Sequence, residues 1–271
     1  MSSAIERVGF VGAGHMGGAM VRAMLRAGYD VMAYDLRPEA LAELAAFGAK
    51  AGKDPSEVAA HAELLSVAIA GDERVEDALI GSGNLVDRLA PGAVIAIHST
   101  VHPAVVHRVA ERAAHGGIDI IDATVSGGRT AADAGTLCFM IGGDADVVTR
   151  CRPVFSSYGS VFHMGPLGSG VVTKIAQQMM TTANIVGVDE GTRLAEAAGV
   201  DLRTFLTVVS STTGQSHVAD GWLDGLKITG PDMAGSFYTS LNPAVELAGE
   251  LGVPVPGTAL AQQLIRAIFK R

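Results

Sequence analysis

Cysteine is scarce in this chain. Only Cys138 and Cys151 occur in 271 residues. They show no metal-type spacing and have no second pair, which excludes a disulfide framework and fits a reducing compartment. Long apolar runs are also missing. Hydrophobic residues make up 48% of the chain, yet no stretch reaches the ~18 uncharged apolar residues that a spanning helix needs. No basic leader with an apolar core and a cleavage site opens the sequence, so no signal peptide is expected. Basic residues are outnumbered, 20 Lys and Arg against 28 Asp and Glu, and the net charge of -8 carries no long charge runs. That balance lacks the footprint of a nucleic-acid binder. Internal repeats and low-complexity segments are absent. The expected protein is soluble and cytoplasmic, with small molecules rather than nucleic acids or membranes as partners.

What is abundant is glycine, 34 residues, punctuating short β-type runs that alternate with amphipathic helical stretches. "RVGFVGA" reads as strand, "HMGGAMVRAMLRAG" as helix, "VMAYD" as strand and "PEALAELAAFG" as helix with Pro38 in its first turn. The pattern continues through "DPSEVAAHA", "LLSVAIA", "RVEDALI", "AVIAIHS", "PAVVHRVAERAA", "IDIIDA", "TLCFMIGG", "DVVTRCRPVF" and "SVFHMG". Strands alternating with helices of this length predict a mostly parallel, doubly wound sheet covered on both faces over residues 1–165. After that the strand signal fades. A helical pattern runs from Gly170 to about Ala198, with Ser169 as its candidate N-cap, and the segments beyond it are all helical in period. Residues 166–271 are therefore expected to form an interdomain helix and an all-α domain.

"VGFVGAGHMGGAM" places Gly12, Gly14 and Gly17 in G-x-G-x-x-G spacing between a strand and a helix. The first glycine permits the tight turn, the second lets backbone approach a pyrophosphate, and the third packs helix on strand. His15 and Met16 fall inside this loop and would contribute mainly backbone. Asp35 closes the next strand, where a carboxylate accepts hydrogen bonds from ribose hydroxyls. This predicts a bound dinucleotide. Asp35 favours NAD, whereas Arg37 would attract the 2′-phosphate of NADP.

"DATVSGGRTAADAGTL", residues 122–137, reads as a loop after the strand "IDII". Ser126, Gly127 and Gly128 offer a hydroxyl and consecutive backbone N–H groups, a pocket suited to a carboxylate; equally, Ser-Gly-Gly is ordinary turn chemistry. "GSGVVTKIAQQMM" holds one charge, Lys174, with Val171, Val172, Ile175, Met179 and Met180 around it as one side of a buried helix. Burying an ammonium costs several kcal/mol, on the order of 3–5. Either Lys174 snorkels to solvent, or it exchanges a proton with a substrate hydroxyl as an acid/base of lowered pKa. Gln178 shares its face one turn on and would contact the same substrate. His98, His102, His107 and His115 lack the spacing of a metal site, and His163 and the buried-type methionines read as core.

Taken together, "GFVGAGHMGGAMVRAMLRAG", "DATVSGG....AGTL" and "GPLGSGVVTK" resemble the β-hydroxyacid dehydrogenase family, which includes 3-hydroxyisobutyrate dehydrogenase and tartronate semialdehyde reductase and is related to 6-phosphogluconate dehydrogenase. The resemblance implies a Rossmann-type domain, a long interdomain helix and an all-helical C-terminal domain, assembled as a homodimer or homotetramer. It implies that Lys174 is the catalytic lysine, that Ser126 to Gly128 bind the substrate carboxylate, and that Thr100 in "HSTVHP" lies near the nicotinamide. Several positions depart from the family pattern. Gln178 replaces an Asn, Thr124 a Pro, Ala70-Gly71 a Leu-Pro pair, and Thr239-Ser240 a Lys-Asp pair. The chain also ends at Arg271, short of the family's usual last helix. Two other readings remain from the sequence. One is an imine reductase-like NADP enzyme, against which Lys174 argues; the other is a non-catalytic dinucleotide-binding sensor or scaffold.

Overall fold

The strands Leu64–Val67 and Val94–Ile97 are buried at every position, which is stable only where both faces of the sheet are covered. In the computed structural model, which describes residues 4–224 and 241–269, helices supply both covers. The chain divides into two compact units between Lys174 and Ile175. The first contains β1 (Arg7–Val11), α1 (His15–Arg26), β2 (Asp30–Tyr34), α2 (Pro38–Ala46), β3 (Lys50–Ala51), α3 (Pro55–His61), β4 (Leu64–Val67), α4 (Asp72–Ile80), β5 (Val94–Ile97), α5 (Pro103–Ala114), β6 (Asp119–Ser126), α6 (Gly128–Ala134), β7 (Leu137–Gly142), α7 (Ala145–Ser156) and β8 (Gly159–Gly165). The sheet order is β3-β2-β1-β4-β5-β6-β7-β8. Every neighbouring pair is parallel except β6 and β7, which are antiparallel.

Side-chain alternation along the strands divides the interior into two cores. Val8, Phe10, Leu64, Val94 and Ala96 pack under α1, α2, α6 and α7; Val11, Leu65, Val67, Ile95 and Ile97 pack under α3, α4 and α5. Each fully buried Val, Leu, Ile or Phe among them contributes roughly 1.5–3 kcal/mol. Local signals set the helix starts. Pro38, Pro55 and Pro103 occupy first turns, and the Asp54 carboxylate accepts the Glu57 N–H at 2.9 Å.

The second unit is all-helical. A long helix, α8 (Ser169–Ala197), begins in the first unit and continues into the second, followed by α9 (Leu202–Ser210), α10 (His217–Asp220) and the helices Asn242–Glu250 and Pro256–Ile268. Ile185, Val218 and Ile265 form one small core there, and Ile175, Leu241 and Ala244 another. The Thr239-Ser240 pair lies outside the described residues.

Four sequence expectations need correction. Thr124 to Ser126 are not loop but continue the strand "IDIIDA" as the end of β6, because β7 pairs with them in register. Ser169 is the first helical residue of α8 rather than its cap, since a carboxylate from β6 takes the capping role. His163 is exposed on β8, where its Nε2 lies 2.9 Å from both the Gly143 and Gly165 carbonyls. Finally, Val172 and Met180 are exposed on α8, at 40% and 69%, so its buried face is narrower than the apolar composition implies.

Candidate active site

The strands β1 to β6 are parallel, so their carboxyl ends share one edge of the sheet, and the order reverses between β1 and β4. Ligands of open α/β sheets bind outside such an edge. The structure puts Gly12, Asp35, Thr100 and Ser126 at or just beyond the carboxyl ends of β1, β2, β5 and β6 respectively. Cys138, at the start of the reversed β7, pairs with Ser126 at the same edge.

The glycine loop has the required geometry. Gly12 has φ +93°, and a Cβ there would sit 2.4 Å from the Ala68 carbonyl oxygen. A Cβ on Gly17 would lie 2.1 Å from the Gly12 oxygen and 2.7 Å from the Phe10 ring, so this glycine lets α1 meet β1. At Gly14, the N-cap of α1, the nearest atom would be the Arg37 guanidinium at 3.1 Å, which leaves the approach to the helix N-terminus open to a flexible neighbour. His15, exposed, and Met16, half-buried, begin the helix. These residues fit a dinucleotide pyrophosphate, with backbone N–H groups and the positive end of α1 converging on one cradle.

Asp35 follows β2 with its side chain 11% exposed, and the Arg37 backbone N–H and Nε each donate to its Oδ1 at 3.0 Å. Arg37 therefore stands over the carboxylate and is itself mostly exposed. With Arg22 and Arg129 it lines a cleft of about 290 Å³ beside Gly14 and Gly18. Thr100 lies half-buried in the loop after β5, next to Ser99, whose Oγ accepts the Ile69 N–H at 3.0 Å and ties the β4 and β5 loops together.

Ser126 ends β6, and Gly127 (φ +120°) and Gly128 (φ +69°) turn the chain into α6. The first N–H groups of a helix have no intrahelical acceptor, so this turn presents donors at the sheet edge beside the serine hydroxyl. Lys174 is 9% exposed, and burial pushes its pKa down to about 8; the Cys138 thiol nearby acts in the opposite direction. Burial likewise raises the Cys138 thiol, an effect Lys174 partly offsets. Lys174, Cys138 and Ser126 thus gather in the first unit, whereas Gln178 lies one turn further along α8, half-buried, in the second. The snorkelling reading of Lys174 does not hold.

Two residues escaped the sequence reading. Asp122, fully buried, accepts the Gly168 N–H at 2.8 Å and the Val171 N–H at 2.7 Å. Its carboxyl is raised by burial, with those N–H groups pulling the other way. His98 is enclosed by Phe10, Phe139 and Phe155, with Nδ1 2.6 Å from the Ala123 oxygen and Nε2 3.1 Å from the Ser66 hydroxyl. Burial lowers it to about 4, which keeps it neutral. No local motif marks either residue, since their partners lie 25 or more positions away in the chain.

Residues 7–165 match the NAD binding domain of 6-phosphogluconate dehydrogenase, and residues 168–271 match the NAD-binding domain of NADP-dependent 3-hydroxyisobutyrate dehydrogenase. The chain is 32% identical to 2-(hydroxymethyl)glutarate dehydrogenase of Eubacterium barkeri, over 95% of this chain and 87% of that protein. It is 30% identical to the NAD-dependent L-serine dehydrogenase of Pseudomonas aeruginosa, over 98% and 93%. Among solved structures, a 3-hydroxyisobutyrate dehydrogenase from Salmonella typhimurium superposes with a TM-score of 0.86 at 27% identity, covering 97% of this chain and 99% of that one.

Proposed function

The chain belongs to the β-hydroxyacid dehydrogenase family and is an NAD(P)-dependent oxidoreductase, and on that premise we propose that it interconverts a small 2-substituted 3-hydroxypropanoate and its semialdehyde. The three similar proteins are named for 2-(hydroxymethyl)glutarate, L-serine and 3-hydroxyisobutyrate. All three compounds carry a primary alcohol two carbons from a carboxylate, which is the shared chemistry behind this substrate class.

The chemistry a bound dinucleotide would supply is hydride exchange with the alcohol or aldehyde carbon. The residues that would hold it are Gly12, Gly14, His15, Met16 and Gly17 at the pyrophosphate, Asp35 and Arg37 at the adenine ribose, and Thr100 nearer the nicotinamide. Asp35 supports NAD over NADP, because its carboxylate would repel a 2′-phosphate. Ser126 and the N–H groups of Gly127 and Gly128 hold the substrate carboxylate, which fixes the alcohol end. Lys174 takes the hydroxyl proton in oxidation and gives one to the carbonyl oxygen in reduction. Gln178 orients the substrate by hydrogen bonding.

The observation that carries this reading is the buried amine of Lys174, with a pKa of about 8, in the same unit as Ser126. An acid/base works best when its pKa lies near the operating pH. A sensor with no chemistry to perform gains nothing from such a group. Exposed Met180 and Leu194 on α8 support assembly into a homodimer or homotetramer, and the two free thiols fit a reducing cytoplasm. The test is absorbance at 340 nm with NADH or NADPH against small semialdehydes, and with NAD or NADP against the three alcohols above. We expect turnover that falls at least ~100-fold in Lys174→Ala while cofactor still binds. Cofactor binding with no turnover of any of them would sink the reading.

A further inference from the structure

A β-strand directs residues i, i+2 and i+4 to one face, so Asp122, Thr124 and Ser126 share a face of β6. The first two hold the start of α8. Both Asp122 carboxylate oxygens are engaged, one by the Gly168 N–H at 2.8 Å and the other by the Val171 N–H at 2.7 Å. The Thr124 hydroxyl, fully buried, lies 2.9 Å from the Gly170 carbonyl oxygen and 3.2 Å from that of Met140. In an α-helix the carbonyl of residue 170 receives the N–H of residue 174. Thr124 therefore donates to the same oxygen that anchors the backbone of Lys174.

The helix can come this close only because glycines face the strand. A Cβ on Gly170 would lie 2.5 Å from the Met140 oxygen and 2.8 Å from an Asp122 carboxylate oxygen; one on Gly142 would lie 2.4 Å from Asp122. From the other side, His98 grips the carbonyl of Ala123, between the two clasp residues. Asp122 and Thr124 thus fix the register of α8 on β6, and His98 holds the strand segment between them.

Resting on the reading of Lys174 as the acid/base, we propose that Asp122 and Thr124 are positioning residues: their clasp on the first turn of α8 sets where the Lys174 amine stands relative to Ser126. Neither touches substrate. Each acts through the helix. A hydroxyl-deleting change at Thr124 frees the first turn to shift, and the amine moves out of its desolvated place.

The experiment is a cycle of Thr124→Val, Lys174→Ala and the double variant, with Thr124→Ser as the hydroxyl-retaining control. We expect Thr124→Val to lower kcat about 10-fold with cofactor affinity unchanged, Thr124→Ser to stay within about 2-fold of wild type, and Thr124→Val to cost nothing further once Lys174 is gone. A second readout needs no turnover. The pH dependence of Lys174 acylation in the cofactor-free protein, followed by peptide mass spectrometry, should move upward in Thr124→Val, towards an exposed lysine. An unchanged kcat and labelling profile in Thr124→Val overturns the proposal, as does an equal loss in the wild-type and Lys174→Ala backgrounds. If Lys174→Ala is fully active, the acid/base reading has failed instead, and the labelling profile still decides whether Thr124 places the amine. Thr124→Ala, smaller and also lacking the hydroxyl, takes the place of the valine variant should that one not fold.

Discussion

Ser126 and Cys138 are register partners across the antiparallel β6–β7 pair, and Lys174 lies close enough to Cys138 for its charge to act on the thiol. A hydroxyl and a thiol thereby stand opposite each other at the carboxyl edge of the sheet, and the charge of the amine reaches the thiol. The reversal of β7 makes this possible, because an antiparallel β7 begins at the edge where β6 ended.

The first expectation concerns pH. As the proposed acid/base, Lys174 would have to be neutral to accept a proton during alcohol oxidation and charged to donate one during aldehyde reduction. With its pKa near 8, kcat for oxidation should rise through pH 8 and kcat for reduction should fall through it. Steady-state profiles in both directions check this. Two profiles with the same sign would contradict it.

A stability effect of the same lysine follows from linkage. Its folded pKa of about 8 lies below the ordinary 10.5, so between those values the unfolded chain binds more protons and stability rises with pH. Below pH 8 the lysine is protonated in both states and the penalty is complete, on the order of 3 kcal/mol. Lys174→Met should therefore raise Tm at pH 7 while abolishing turnover, and the gain should shrink towards pH 10. Thermal melts at both pH values measure it.

At the glycine loop, two alanine substitutions should fail in different ways. Gly17→Ala drives a methyl into the Gly12 backbone and should cost about 3 kcal/mol of stability, read from urea denaturation. Gly14→Ala meets the flexible end of the Arg37 side chain at 3.1 Å and the Asp35 carboxylate at an ordinary 3.9 Å contact. It should fold normally and weaken dinucleotide binding at least ~10-fold, because it narrows the approach of a phosphate to backbone N–H groups.

Cofactor choice should turn on Asp35. Asp35→Ser removes the carboxylate that would repel a 2′-phosphate and releases Arg37 from its 3.0 Å contact. Fluorescence titration should show NADH binding weakened and the NADPH to NADH affinity ratio raised at least ~10-fold. A ratio unchanged from wild type would mean that the ribose is read elsewhere.

Much of this was legible in the sequence, for reasons of range. Gly12, Gly14 and Gly17 lie within one turn, and Asp35 follows at the end of the next strand, so the strand-turn-helix geometry is readable from spacing alone. The mixed α/β unit followed by an all-helical one was likewise readable from periodicity. The second half of β6 was not, because "ATVSGG" combines strand-type Thr and Val with turn-type Ser and Gly, and only pairing with β7 decides. Asp122 has no local signature at all. Its two acceptor contacts lie 46 and 49 residues away, and Ser169 therefore looked like the cap that Asp122 provides. His163 was misread as core because its apolar neighbours Phe162 and Met164 are themselves exposed on β8.

The alternation along β6 has a consequence for how this chain can be altered by descent or by design. Asp122, Thr124 and Ser126 point one way, while Ile121 and Ala123 belong to the core on the other. Losing or gaining a single residue between positions 122 and 126 would exchange the two sets at once, turning a polar face into an apolar one and the reverse. Side chains along this segment can drift one at a time, but its length cannot, so any lineage or library that keeps the activity should keep the count.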